Sequence, residues 1–75
     1  MDEKRALAAL QRYYLEDVSF ERAAELAGSS LYEFVEFVRK YELPLVHTER
    51  DVAEGIRRLD GLLGKHGMRP LLAKT

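Results

Sequence analysis

The chain has 75 residues, of which 47% are hydrophobic and 33% are charged, a composition typical of one small globular domain. No apolar stretch approaches the roughly 18 residues of a membrane-spanning helix, and no signal peptide pattern opens the chain, so we expect a cytoplasmic protein without a membrane partner. Cysteine is absent, which excludes disulfides and thiolate-bound metals. The sequence has no asparagine and one glutamine, a depletion typical of thermophilic proteins.

Charge is distributed unevenly along the chain. The net charge is −1, but residues 57–75 hold five basic residues and one acidic residue, which gives +4 there and leaves −5 elsewhere. This asymmetry predicts an anionic partner for the basic segment, although a solvated tail that only keeps the protein soluble is the alternative. We expect a helical domain over residues 1–66 and a basic C-terminal tail over residues 67–75.

Four segments have the apolar spacing of amphipathic helices, at about residues 3–15, 20–27, 31–41 and 49–65. Ser19, Ser30 and Thr48 each precede a segment and carry a hydroxyl that can cap a free helix amide. Gly28 suits the end of the second segment, and Pro44 stops the third, which is the most apolar and should lie centrally. The sequence therefore predicts an all-α fold of about four helices.

The second and third segments have helix-turn-helix spacing over about residues 19–41. Ala24 lies four residues before the turn residue Gly28, and Phe34 supplies an apolar anchor six residues after it. An ordinary helical hairpin is the alternative interpretation, because short glycine turns are common between packed helices.

If this motif binds operator DNA, the third helix and its flanks should supply the contacts. Hydroxyl and cationic side chains suit phosphate and base contacts, and the candidates are Arg22, Ser30, Tyr32, Arg39 and Lys40. Glu33 and Glu36 lie on or beside the same face and oppose attraction to phosphates.

A narrow apolar stripe on the fourth helix predicts a helix–helix contact between two copies of the chain. A small fold without disulfides or zinc is often stabilised by a partner chain, which favours a homodimer. The stripe, together with a short extended segment that could pair across a two-fold axis, gives the candidate interface residues Leu45, Val46, Val52, Ile56, Leu59 and Leu63.

Four short segments carry a resemblance to a known family. Residues 20–28 read FERAAELAG, residues 30–34 read SLYEF, residues 42–45 read ELPL and residues 49–52 read ERDV. Over roughly residues 7–63 the chain resembles a family of small, largely uncharacterised prokaryotic helix-turn-helix proteins regarded as antitoxins, similar in role to the VapB class. The resemblance implies a PIN-domain ribonuclease toxin as the partner and a role in transcriptional regulation.

A PIN-type ribonuclease holds magnesium with clustered carboxylates, so an inhibitor needs cationic side chains at that cluster. The candidate toxin-binding residues are Arg57, Arg58, Lys65 and Arg69, with Met68, Leu71 and Leu72 available for apolar grooves. A helical adaptor that dimerises and binds no DNA is the alternative function.

The sequence does not indicate an enzyme, a cofactor or a metal site. The serines lie at helix caps without a nearby base, and no glycine-rich phosphate loop follows a strand. His47, Glu49 and Asp51 alternate, but a single histidine beside a capped helix start is usually structural or solvated.

Overall fold

The computed structural model describes residues 1–71, which form four α-helices and no strand. The helices are α1 (Glu3–Tyr14), α2 (Phe20–Leu26), α3 (Leu31–Lys40) and α4 (Glu49–Lys65). The all-α fold is confirmed, and each helix begins and ends within a residue of its predicted bounds. None of the helices in this part of the chain combines the length and the apolar character needed to cross a bilayer.

The predicted helix caps are present. Ser19 Oγ accepts from the backbone N–H of Arg22 at 3.1 Å, while Ser30 and Thr48 each form a reciprocal capping box with the acidic residue three positions later. Gly28 has a φ of +72° at the end of α2, and this left-handed geometry lets Ser29 N–H reach the carbonyl of Ala24 at 3.1 Å. Local sequence signals therefore fix the helix bounds.

Helix α1 lies at the centre of the fold and packs against both α2 and α4, while α3 packs against α2. The expectation that the most apolar helix, α3, would be central is wrong. Small residues explain the difference, because Ala6 and Ala9 are buried on α1 and allow neighbouring helices to approach it. In addition, Arg5 Nε on α1 donates to the carbonyl of Leu26 at 2.7 Å and so caps the end of α2.

Helices α2 and α3 meet at the turn around Gly28. Ala24 is buried beside the turn, and Phe34 is completely buried in the core. The rings of Phe20 and Phe34 pack with centroids 5.0 Å apart, which joins the start of α2 to α3.

The apolar stripe of α4 faces the core of its own chain. Leu59 and Leu63 have no exposed surface in the single chain, and α4 packs against α1. These two leucines therefore cannot supply a dimer interface without opening the core. The prediction that Leu59 and Leu63 contact a second copy of the chain is wrong, because both lie in the core of their own chain. The sequence pattern alone could not tell the two apart, because both bury the same narrow stripe.

Residues 67–71 fold back onto the helical domain. Gly67 has a φ of +71°, and the N–H of Met68 donates to the carbonyl of Leu63 at 2.8 Å. Leu71 N–H donates to Asp60 Oδ1 at 2.6 Å, and both Met68 and Leu71 pack partly against the core. This part of the predicted tail is thus attached to the domain, while Leu72 and Lys74 lie outside the described residues.

Candidate interaction surfaces

Two adjacent tyrosines of α1 hold the segment that links α3 to α4. Tyr14 is buried, and its hydroxyl donates to the carbonyl of Pro44 at 2.7 Å. The hydroxyl of Tyr13 accepts from the backbone N–H of Val46 at 2.7 Å. Burial, with a smaller contribution from Tyr13, raises the pKa of Tyr14 above its ordinary value. These hydrogen bonds fix the position of the linker and of the helix that precedes it.

The predicted DNA-binding residues of α3 lie on its outer side. Tyr32 is 75% exposed, whereas the hydroxyl of Ser30 is occupied in the cap of α3. Arg39 lies 3.8 Å from a carboxylate oxygen of Glu36, and Lys40 lies 3.7 Å from one of Glu3. Each cation of this face therefore has a carboxylate beside it.

Arg22 and Glu33 complete the charge pattern around α3. Arg22 pairs with Glu25 on α2 at 2.9 Å. Hydrogen bonds from Ser30 lower the pKa of the Glu33 carboxyl, so that this carboxyl remains ionised well below neutral pH. Paired cations and ionised carboxylates make the face nearly neutral, which gives little general attraction for phosphates.

The outer face of α4 carries several exposed arginines. Arg57 and Arg58 both donate to the carboxylate of Glu54, three and four residues earlier, and together lower its pKa to about 2. Glu54 thus pairs with two guanidinium groups at once. The side chain of Arg58 also lies 3.8 Å from Glu42 in the α3–α4 linker.

Two further cations lie near the C-terminal end of α4: Lys65 is its last residue, and Arg69 follows four residues later. Both are exposed, and neither forms an ion pair with any residue between 1 and 71. Sequence reasoning missed Arg50, which lies four residues before Glu54 and therefore on the same side of α4. Arg50 precedes the basic segment, residues 57–75, and stands among acidic residues in the sequence. We define the basic face as Arg50, Arg57, Arg58, Lys65 and Arg69.

The other predicted interface residues are only partly available. Leu45 is 44% exposed, while Val46 is half-buried over the core with its N–H bound to Tyr13. Val52 and Ile56 are half-buried on α4. Among the candidates, Leu45 offers the most apolar surface to a second molecule.

Asp51 is a capping residue of α4 and is not arranged as a metal ligand with His47. The carboxylate of Asp51 accepts from the backbone N–H groups of His47 and Thr48 at 2.9 and 3.0 Å, and these hydrogen bonds lower its pKa. Within the described part of the chain, no three His, Asp or Glu side chains converge in a way that could hold a metal ion.

Comparison with known proteins gives one family. A search of curated proteins and a search of solved structures each found no match. The model of a family described as uncharacterised protein family UPF0175 matches residues 2–61. This match includes all of α1, α2 and α3 and most of α4, so the chain belongs to the uncharacterised protein family UPF0175.

Proposed function

We propose that the protein is an antitoxin-like regulator that binds a ribonuclease partner in the cytoplasm through the basic face of α4. The observation that carries this proposal is the excess of cations at this end of the fold: Arg50, Arg57, Arg58 and Lys65 on α4, with Arg69 after the helix, outnumber the two carboxylates within residues 1–71 that pair with them, Glu54 and Glu42. The resemblance of roughly residues 7–63 to a family of small helix-turn-helix proteins regarded as antitoxins supports the same class of partner.

The chemistry of the basic face suits a cluster of carboxylates. A guanidinium group pairs with a carboxylate through two parallel hydrogen bonds and keeps its charge when it loses water. Arg57 already pairs with Glu54 in this way, and Arg58 adds a single hydrogen bond to the same carboxylate. Arg69 follows the end of α4 and has no ion pair within residues 1–71, so it is the first candidate for the acidic active site of a ribonuclease.

The partner should present an apolar surface beside its cluster of carboxylates. Met68 and Leu71 flank Arg69 and are each partly exposed while they pack against the core. An attached segment loses less conformational entropy on binding than a free tail would, which favours affinity.

Inhibition of RNA cleavage tests the proposal. The ribonuclease used is a PIN-domain protein from the same source, chosen from a neighbouring gene if one encodes it. It is assayed with the unmodified protein, with Lys65→Glu/Arg69→Glu, and with the control Lys4→Glu/Arg22→Glu. Both double variants change the net charge equally and alter exposed side chains. We expect inhibition by the unmodified protein and by the control, and its loss in Lys65→Glu/Arg69→Glu. Equal inhibition by all three contradicts the proposal.

Point substitutions test the surface more cleanly than a truncation after residue 64. Removal of the following residues would delete the N–H of Met68 that caps α4 and the packing of Leu71. A loss of inhibition would then mix lost stability with lost contacts.

The charge pattern of α3 favours a second candidate, a helical protein-interaction adaptor that binds no DNA. Arg22, Arg39 and Lys40 each have a carboxylate within 4 Å, so a phosphate would have to displace an existing pair. A gel shift with the DNA upstream of the gene, at low and at physiological salt, separates the candidates. A salt-sensitive shift that Arg39→Gln weakens supports a DNA-binding regulator, while its absence supports the adaptor.

A further inference from the structure

An open groove runs between the C-terminal half of α3 and the segment that follows it. Its volume is about 390 Å³, and its floor is formed by Val38 and Leu43, which are buried in the core. Val35 and Leu45 form apolar walls, and Leu45 leaves 44% of its surface exposed.

Further apolar surface adjoins this groove along α3. Leu31 lies one turn before Val35 and is 46% exposed, and Tyr32 beside it is 75% exposed. Exposed apolar residues that lie singly need no explanation, but a contiguous set beside a groove is typical of a protein contact. The groove therefore fits an apolar side chain from another protein surface.

The two charged residues that line the groove have opposite signs. The side chains of Arg39 and Glu42 are 75% and 81% exposed, and their ion pairs with Glu36 and Arg58 are both long, at 3.8 Å. Glu42 also has a φ of +55°, a conformation that glycine adopts at lower cost. The chain therefore places a carboxylate at a position where helix termination alone favours glycine.

We propose that this groove is the contact surface between two copies of the chain in a symmetric homodimer. A two-fold axis brings each surface against itself, so that Arg39 of one protomer faces Glu42 of its partner, and the reverse contact forms at the same time. Leu45 of each protomer then covers the apolar groove of the other.

The charges favour a second copy over DNA as the occupant. Either occupant would draw Arg39 away from Glu36. One cation and one carboxylate per groove are self-complementary, whereas a phosphate backbone would in addition be repelled by Glu42 and by neighbouring Glu36. This dimer would also cover Arg39 and the apolar side of α3. Glu42 lies beside Arg58 of the basic face, but the two proposals are tested separately, because Lys65 and Arg69, the residues substituted to test ribonuclease binding, take no part in the dimer.

Charge reversal tests this dimer with a built-in control. Sedimentation equilibrium is measured for the unmodified chain, for Arg39→Glu, for Glu42→Arg and for an equimolar mixture of the two variants. Each variant alone places like charges opposite each other at both symmetric contacts, so we expect its self-association to weaken about tenfold or more. The mixture restores both contacts in a heterodimer, and its affinity should return to that of the unmodified chain.

The Leu45→Glu variant supplies a second measurement, because an exposed side chain can be replaced without opening the core. We expect it to be monomeric with an unchanged helical circular dichroism spectrum. Three results would each overturn the proposal: an unmodified chain that is monomeric up to about 500 µM, single variants that associate as the unmodified chain does, or a mixture no stronger than its components.

Discussion

The ring of Tyr14 lies against the backbone of Gly55, where α1 and α4 make a close contact. A β-carbon at Gly55 would overlap the ring, and the glycine itself is buried. Tyr14 also donates its hydroxyl to the linker carbonyl of Pro44. A single aromatic side chain thus joins the first helix, the α3–α4 linker and the last helix.

Substitution of two glycines of α4 by alanine should have opposite effects on stability. Gly55→Ala forces the Tyr14 ring to shift and should lower the free energy of unfolding by about 1–3 kcal/mol. The β-carbon of Gly61→Ala meets no atom of residues 1–71 within 4 Å, and this substitution should raise the free energy of unfolding by about 0.5–1 kcal/mol, because alanine restricts the unfolded chain. Urea unfolding measures the stability of both variants. Equal changes in the free energy of unfolding would contradict the close contact between Tyr14 and Gly55.

Loss of the Tyr14 hydroxyl should change the alkaline stability of the protein. Burial raises the pKa of Tyr14 above its ordinary value of 10.0, so the unfolded chain releases this proton first. Stability should therefore be retained below pH 10 and fall by up to about 1.4 kcal/mol per pH unit above it. Tyr14→Phe should remove that component of the alkaline decline and, at neutral pH, cost about 1 kcal/mol for the lost hydrogen bond. Thermal unfolding between neutral pH and pH 11 measures both effects.

Leu59 should behave as a core residue of the single chain. Its side chain has no exposed surface, so Leu59→Ala should lower the free energy of unfolding by about 2–5 kcal/mol. Val52 is half-buried, so the control Val52→Ala should lower the free energy of unfolding by less. If Leu59→Ala shifts the monomer–dimer equilibrium without changing the stability of the monomer, the intrachain assignment is wrong.

Ser30 and Ser29 give a matched test of the α3 cap. The hydroxyl of Ser30 accepts from Glu33 N–H at 3.1 Å. The hydroxyl of Ser29 caps no helix amide; its one proton can be donated either to the carbonyl of Ser30, at 3.1 Å, or to that of Ala24, at 3.5 Å. Ser30→Ala should therefore cost about 1 kcal/mol of stability, and Ser29→Ala distinctly less. Chemical denaturation of both variants decides whether the cap contributes as expected.

The local features of the fold could be predicted from sequence because short-range chemistry determines them. Caps at Ser19, Ser30 and Thr48 and the left-handed Gly28 depend on residues within one helical turn. The central position of α1 depends on which helices approach its buried alanines. This cannot be predicted from the sequence of α1 alone, because it depends on how all four helices pack.

The candidate surfaces depend on contacts between residues that are distant in sequence. A leucine stripe such as that of Leu59 and Leu63 has the same spacing whether its partner is in the same chain or in another. Gly55 reads in sequence as a helix-weakening residue, and only the position of Tyr14 shows that a side chain there would not fit. The ion pairs of Arg39 and Lys40 likewise become visible only when the neighbouring elements are in place.

The affinity for a PIN-domain ribonuclease at two salt concentrations tests the basic face of α4 most directly. An interface made by exposed cations and a carboxylate cluster weakens as salt screens it. We therefore expect calorimetric titration to give at least about tenfold weaker binding at high salt for the unmodified chain. Lys65→Glu/Arg69→Glu should bind weakly at both salt concentrations. Tight binding that neither salt nor this double substitution changes would contradict the account.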